Sequence, residues 1–156
     1  MTYEFQQSLK LGDAGEESFH KAYPHLIYDS CEGHDFVDEG TGKTIELKTD
    51  FWSMSKTQNF FMEMYSDDIN YKLGGPFRSQ VHGTDVFAYY FISEGVVFWF
   101  DNIEKLTQRI HKYVNHYYIS MKTIPNRRYN TLGYAIPRLE FFDLYKEFKI
   151  GDPLPL

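Results

Sequence analysis

The apolar residues of this chain change their spacing several times, and each change predicts an element. Phe19, Ala22 and Tyr23 recur at helical spacing after a Gly/Asp start, and Pro24 stops the pattern, so a helix is expected from about Ala14 to Tyr23. Leu26 to Tyr28 reads as a short strand. HDFVD and TIELKTD flank the turn residues of EGTGK and predict a hairpin. NFFMEMY, from Asn59 to Tyr65, predicts a buried strand. The stretch NYKLGGPFRSQVHG that follows is rich in turn residues, has no clear period and reads as a long loop. Two buried strands are expected at about Asp85 to Ile92 and Val96 to Phe100, joined through Ser93, Glu94 and Gly95.

A second helix is expected in DNIEKLTQRIHKYVNHYY, with Asp101 as N-cap and Glu104 three residues later. Ile103, Leu106, Ile110, Val114 and Tyr117 form its apolar stripe, and Lys105, Arg109, Lys112 and His116 run along another face. The closing segment GYAIPRLEFFDLYKEF predicts a short strand ending near Pro137, then a helix carrying Phe142, Tyr145 and Phe148. Glu147, Phe148 and Lys149 would lie on that helix, with the charges exposed.

Composition narrows the class. At 156 residues, 42% hydrophobic and 24% charged, the chain is expected to fold as one domain. With Cys31 as the single cysteine no intramolecular disulfide can form, and a reducing compartment, the cytoplasm, is expected. No run of about 18 apolar residues and no basic-then-apolar leader pattern occurs, which argues against membrane spanning and secretion. The net charge of −6 hides a division: residues 1–104 carry −11 and residues 105–149 carry +6. An acidic front suits a divalent cation and a basic, Tyr-rich back suits phosphates, although both could be solvated faces.

The hairpin carries the chemistry. Alternation from Thr44 to Lys48 puts Ile45 and Leu47 on one face and Glu46 and Lys48 on the other. A two- or four-residue turn with Thr41-Gly42 at its tip would set Asp35 opposite Lys48 and Val37 opposite Glu46, and Asp35 would share the Glu46 face. A three-residue turn without a bulge would send Asp35 to the other face. Two carboxylates beside a lysine meet the needs of metal-assisted phosphodiester hydrolysis, in which Mg²⁺ neutralises the phosphate and acidifies a water.

A helix with an early glutamate, a strand with Asp35, a tight turn and then Glu46-Leu47-Lys48 together resemble the PD-(D/E)XK nuclease superfamily, in particular small phage-encoded endonucleases and Holliday-junction resolvases. The likeness extends to Asp50, to Thr57-Gln58-Asn59 before the strand with Glu63, and to Gly83-Thr84-Asp85, covering residues 10–120. The signature proline is absent, since His34 precedes Asp35. The resemblance implies an α/β restriction-endonuclease-like core, a central mixed β-sheet flanked by helices. It also implies that Asp35, Glu46 and the Leu47 backbone carbonyl ligate Mg²⁺ or Mn²⁺, that Lys48 positions the attacking water, and that a helix glutamate binds a second metal or a metal-bound water. Glu16 shares a face with Phe19 and Tyr23 and is preferred over Glu17 for that last role.

The function expected is a metal-dependent DNA endonuclease in recombination, repair or processing of phage DNA, acting in the host cytoplasm and selective for junction or branched DNA. Lys105, Arg109, Lys112, Arg127 and Arg128 would grip the DNA backbone, and a homodimer would make paired cuts. Lys56, Gln58 and Asn59 either contact phosphate or only shape a loop. Glu63, a charge in an apolar strand, is either a site residue or the partner of a buried base. The rival function is a catalytically silent nucleic-acid- or partner-binding module on the same fold.

Overall fold

A computed structural model describes residues 3–29 and 33–156, with residues 3–12 as helix backbone only, so Cys31 and what was inferred from it lie outside the described residues. Helix α1 spans Tyr3–Ala22 and is followed by β1 (Ile27–Tyr28), β2 (Phe36–Val37), β3 (Thr44–Asp50), β4 (Asn59–Asp67) and β5 (Lys72–Leu73). Next come α2 (Gly75–Val81), β6 (Val86–Phe91), β7 (Val96–Phe100), α3 (Ile103–Tyr117), β8 (Lys122–Pro125) and β9 (Asn130–Pro137). A 3₁₀ turn (Arg138–Phe141) and β10 (Lys146–Lys149) complete the chain. This is an α/β architecture with a mixed sheet and, among the described residues, three α-helices. No helix among them is long and apolar enough to cross a membrane.

The mixed sheet runs β1-β2-β3-β6-β7-β10, with β3 and β6 parallel and the other neighbours antiparallel. The second sheet, β5-β4-β9-β8, is antiparallel throughout. Strands β6 and β7 are buried on both faces, and alternation divides their side chains between two apolar clusters. Phe87, Tyr89, Phe91, Phe98 and Phe100 meet Phe60, Met62 and Ile136 of the second sheet, with Leu106 and Ile110 of α3. Val86, Ala88, Tyr90, Val97 and Trp99 face the other way, onto Phe19 and Tyr23 at the end of α1 together with Ile45 and Leu47. Tyr89 ties the layers together, since its hydroxyl donates to Asp50 Oδ2 at 2.7 Å and accepts the Phe61 N–H at 3.0 Å.

Several expectations are corrected. Helix α1 begins at Tyr3 rather than near Ala14, passing through Gly12 and Gly15, because residues 3–10 are mostly good helix formers and the Gly/Asp pair is not a boundary. The loop expected between β4 and β6 contains β5 and α2; Pro76, in the first turn of α2, is preorganised for a helix start. Asn102, not Asp101, caps α3, accepting the Lys105 N–H at 3.0 Å. The C-terminal helix is absent. Residues 146–149 instead form β10 on the free edge of β7, so Glu147 and Lys149 are exposed strand residues, while the Phe148 ring lies 5.9 Å from that of Trp99. Strand β8 had no forecast in its sequence.

The hairpin register also moves. Phe36 pairs with Ile45 and Val37 with Thr44, and Asp35, just before β2, donates its N–H to the Ile45 carbonyl, so it lies beside Ile45 and Glu46 and not opposite Lys48. The turn holds four residues, as one alternative required, but Asp38 and Lys43 close it (Asp38 N–H to Lys43 O, 2.9 Å), one position earlier than expected. A two-residue shift preserves the faces of the paired side chains, and the Asp35 carboxylate stays beside Glu46.

Gly15 lets α1 lie against β3, because a Cβ at this position would run into the Thr49 side chain. An alanine would ordinarily favour a helix interior over glycine. Here Gly15→Val is expected to destabilise the fold by about 1–3 kcal/mol from overpacking, measured by denaturant unfolding, with partial recovery when Thr49→Gly is added. Unchanged stability of the single variant would show that α1 does not need this contact.

Candidate active site

The site is built where β2 stops covering β3. Ile45 and Leu47 are buried beneath α1, so Glu46 and Lys48 project from the opposite face, both half-buried. Asp35 immediately precedes β2. Its N–H donates to the Ile45 carbonyl at 2.8 Å, and its Oδ2 accepts the Leu47 N–H at 2.8 Å. The side chain thus stands in for the next strand residue along the open edge of β3, which fixes the carboxylate beside Glu46. Helix α1 approaches from the other face. Glu16, directly after the Gly15 contact, brings its carboxyl within hydrogen-bonding reach of Asp35 across that edge, whereas Glu17 is exposed.

These carboxylates crowd one another. Burial, then the charge of Asp35 and a shared hydrogen bond in which Glu16 holds the proton, push the Glu16 pKa up to about 7. Burial, followed by the charge of Asp35, raises that of Glu46 to about 8, with smaller upward contributions from Glu16 and Glu63 and a downward pull from Arg78. Burial also raises Asp35, against the opposing effects of the Leu47 N–H, the Glu16 hydrogen bond and the neighbouring His34 and Arg78. Burial, reinforced by the charge of Asp35, therefore favours the protonated forms of Glu16 and Glu46.

Arg78 belongs to α2, in the stretch read as a loop, and its position in this field had no forecast. The signal available was Gly74-Gly75-Pro76, a helix start that would have placed Arg78 one turn in. Glu63 also reaches the group: its side chain lies over Gly74, where a Cβ would collide with its carboxylate, and its charge acts on Glu46. Asp50 has a structural arrangement, accepting from the Tyr89 hydroxyl at 2.7 Å and from the Trp52 N–H at 2.9 Å. Among the described residues, no group of three His, Cys, Asp or Glu side chains is arranged to hold a metal ion as it stands.

Lys48 also opens onto a cleft of about 560 Å³ between the end of β3, segment 51–57 and the second sheet. Lys56 and Asn59 line it, and so does Lys122, which was not anticipated. Gln58 is exposed beside it, with its carbonyl accepting the Arg138 N–H. The other basic candidates lie elsewhere. Lys105, Arg109 and Lys112 are on α3, and Arg109 clamps Asp143 in a bidentate pair of 2.8 Å contacts while donating to the Glu140 carbonyl. Arg127 and Arg128 are exposed between β8 and β9.

Comparison with models of known families and with curated proteins returns no match for this chain.

The raised carboxyls set a pH dependence. A folded state whose Glu16 and Glu46 titrate above 4.5 binds more protons than the unfolded chain, so the stability they contribute is complete below about pH 4.5 and is lost as the pH rises through about 7 and 8. The melting temperature of the metal-free protein is expected to fall across that interval, and Glu46→Gln to flatten the fall. An identical slope in the variant would show that Glu46 is not part of the coupled group.

Proposed function

We propose that the chain is a metal-dependent endonuclease that hydrolyses DNA phosphodiester bonds on a restriction-endonuclease-like core of the PD-(D/E)XK type. The observation that carries this reading is the convergence of Glu16, Asp35 and Glu46 from three separate elements at one edge of β3, with Lys48 on the Glu46 face. The donor set fits Mg²⁺ or Mn²⁺, which take hard carboxylate oxygens. The upward shifts support the same fit, because crowded carboxylates that retain protons near neutrality are relieved by a divalent cation.

Asp35 and Glu46 are the residues that would hold the ion. The Leu47 carbonyl leaves β3 on the same edge as its N–H, towards Asp35, and adds an oxygen from the backbone. Once bound, the cation supplies charge neutralisation at the scissile phosphate and lowers the pKa of a water. Lys48 directs its ammonium group to the same side, where it orients the attacking water and offsets developing negative charge. Glu16 supplies a further carboxylate from α1, and Arg78 balances charge from α2. Selectivity for branched DNA and a homodimer making paired cuts extend this reading.

One observation favours the second reading, a binding module without turnover: among the described residues, no group of three His, Cys, Asp or Glu side chains is arranged to hold a metal ion as it stands. Cleavage separates the two. With Mg²⁺ or Mn²⁺ and labelled junction, flap, duplex and single-stranded DNAs, the wild type is expected to cut, EDTA to abolish cutting, and Asp35→Asn or Lys48→Ala to lower the rate by about a hundredfold or more. Mg²⁺ is also expected to raise the melting temperature of the wild type and not that of Asp35→Asn. DNA binding with neither cutting nor a metal-dependent shift would favour the binding module.

A further inference from the structure

Segment 51–57 presents two aromatic rings to solvent: Trp52 is 67% exposed and Phe51 40%. Its backbone is nevertheless held on several sides. Asp50 Oδ1 accepts the Trp52 N–H at 2.9 Å, while Glu94 Oε1 accepts the Ser53 hydroxyl at 2.6 Å and the Met54 N–H at 2.9 Å. The Ser53 carbonyl accepts the N–H groups of Lys56 and Thr57, and Arg138 donates to the Thr57 carbonyl at 2.6 Å. Trp52 therefore stands on a base fixed to β3, to the β6–β7 turn and to the 3₁₀ turn. The two rings and the cleft beside them form one exposed surface on a fixed framework.

The charge around the rings defines the molecule that this surface fits. Lys48, Lys56 and Lys122 line the adjoining cleft, and its acid, Asp50, is engaged by the Tyr89 hydroxyl and the Trp52 N–H. Cations that follow a backbone beside an aromatic face make up the surface that a nucleic-acid single strand recognises, with bases stacked on the ring and phosphates along the lysines. A duplex keeps its bases stacked on one another. Lys48 belongs to the cleft and to the carboxylate site alike, so a strand lying in the cleft carries a phosphate towards Glu46 and Asp35.

From this arrangement we infer that the substrate is DNA with an unpaired segment beside the cut, that Trp52 is its stacking platform, and that Lys56 and Lys122 contact its phosphates. The inference rests on the nuclease reading for what is cut. The chain has two tryptophans, and Trp99 is buried, so quenching of tryptophan emission reports Trp52. The intact chain is titrated in EDTA with oligothymidylate, with a blunt duplex of equal length and with polyglutamate, and cleavage of the same DNAs is followed with Mg²⁺.

Oligothymidylate is expected to quench the emission and to bind about tenfold more tightly than the duplex. Trp52→Ala is expected to weaken single-strand binding about tenfold with duplex binding unchanged, and Trp52→Phe to restore most of the loss. Lys122→Ala should lower the affinity and its salt dependence. Equal affinity for strand and duplex, quenching by polyglutamate as strong as by oligothymidylate, or wild-type single-strand affinity in Trp52→Ala would overturn the inference. Cutting of duplex without single-strand preference removes only the substrate assignment. Trp52-dependent strand binding without cutting under any metal condition removes the nuclease reading and leaves a single-strand binding cleft.

Discussion

The hydrogen bond from the Leu47 N–H to Asp35 Oδ2 positions the acidic group. Where β2 stops, β3 would expose its edge, and a carboxylate takes the place of the missing strand carbonyl. The bond satisfies a backbone donor and orients Asp35 against Glu46 at the same time. Glu16 arrives because Gly15 lets α1 lie on Thr49, and Arg78 because α2 follows β4 and β5. Three independent pieces of local geometry thus meet at one carboxylate.

Much of this arrangement was legible. The alternation from Thr44 to Lys48 placed Glu46 and Lys48 opposite Ile45 and Leu47, and the helical spacing of Phe19 and Tyr23 turned Glu16 rather than Glu17 towards the sheet. Other features were hidden for definite reasons. A period of three fitted Phe142, Tyr145 and Phe148 to a helix, yet the free edge of β7 claimed residues 146–149 as a strand, a demand that exists only in the assembled sheet. Arg78 was obscured because a seven-residue helix gives too few turns for periodicity. Lys122 and Trp52 are far apart in sequence, and only the packing of the second sheet against the end of β3 brings them to one cleft.

Two sheets share one aromatic layer, and Tyr89 is its polar pin. The hydroxyl of this buried residue is satisfied by Asp50 from β3 and by a backbone N–H from β4, so burying it costs little and connects both sheets. Burial and the neighbouring Asp50 charge hold its pKa well above the ordinary range for tyrosine, which keeps the proton available for donation. The same Asp50 organises the segment that carries Trp52, so the packing core and the cleft share a single hinge point of polar contacts.

The hairpin turn between Asp38 and Lys43 has a consequence of its own. Strand pairing sorts side chains by odd and even, so the length of this turn behaves as a parity check on the acidic group. Adding or removing one residue, unless a bulge absorbs it, would exchange the faces of β2 and carry Asp35 to the side now held by Phe36. Changes in steps of two would slide the pairing and keep the faces. Length variation in this exposed turn is therefore constrained by arithmetic as well as by the Asp38–Thr41 hydrogen bonds that hold it.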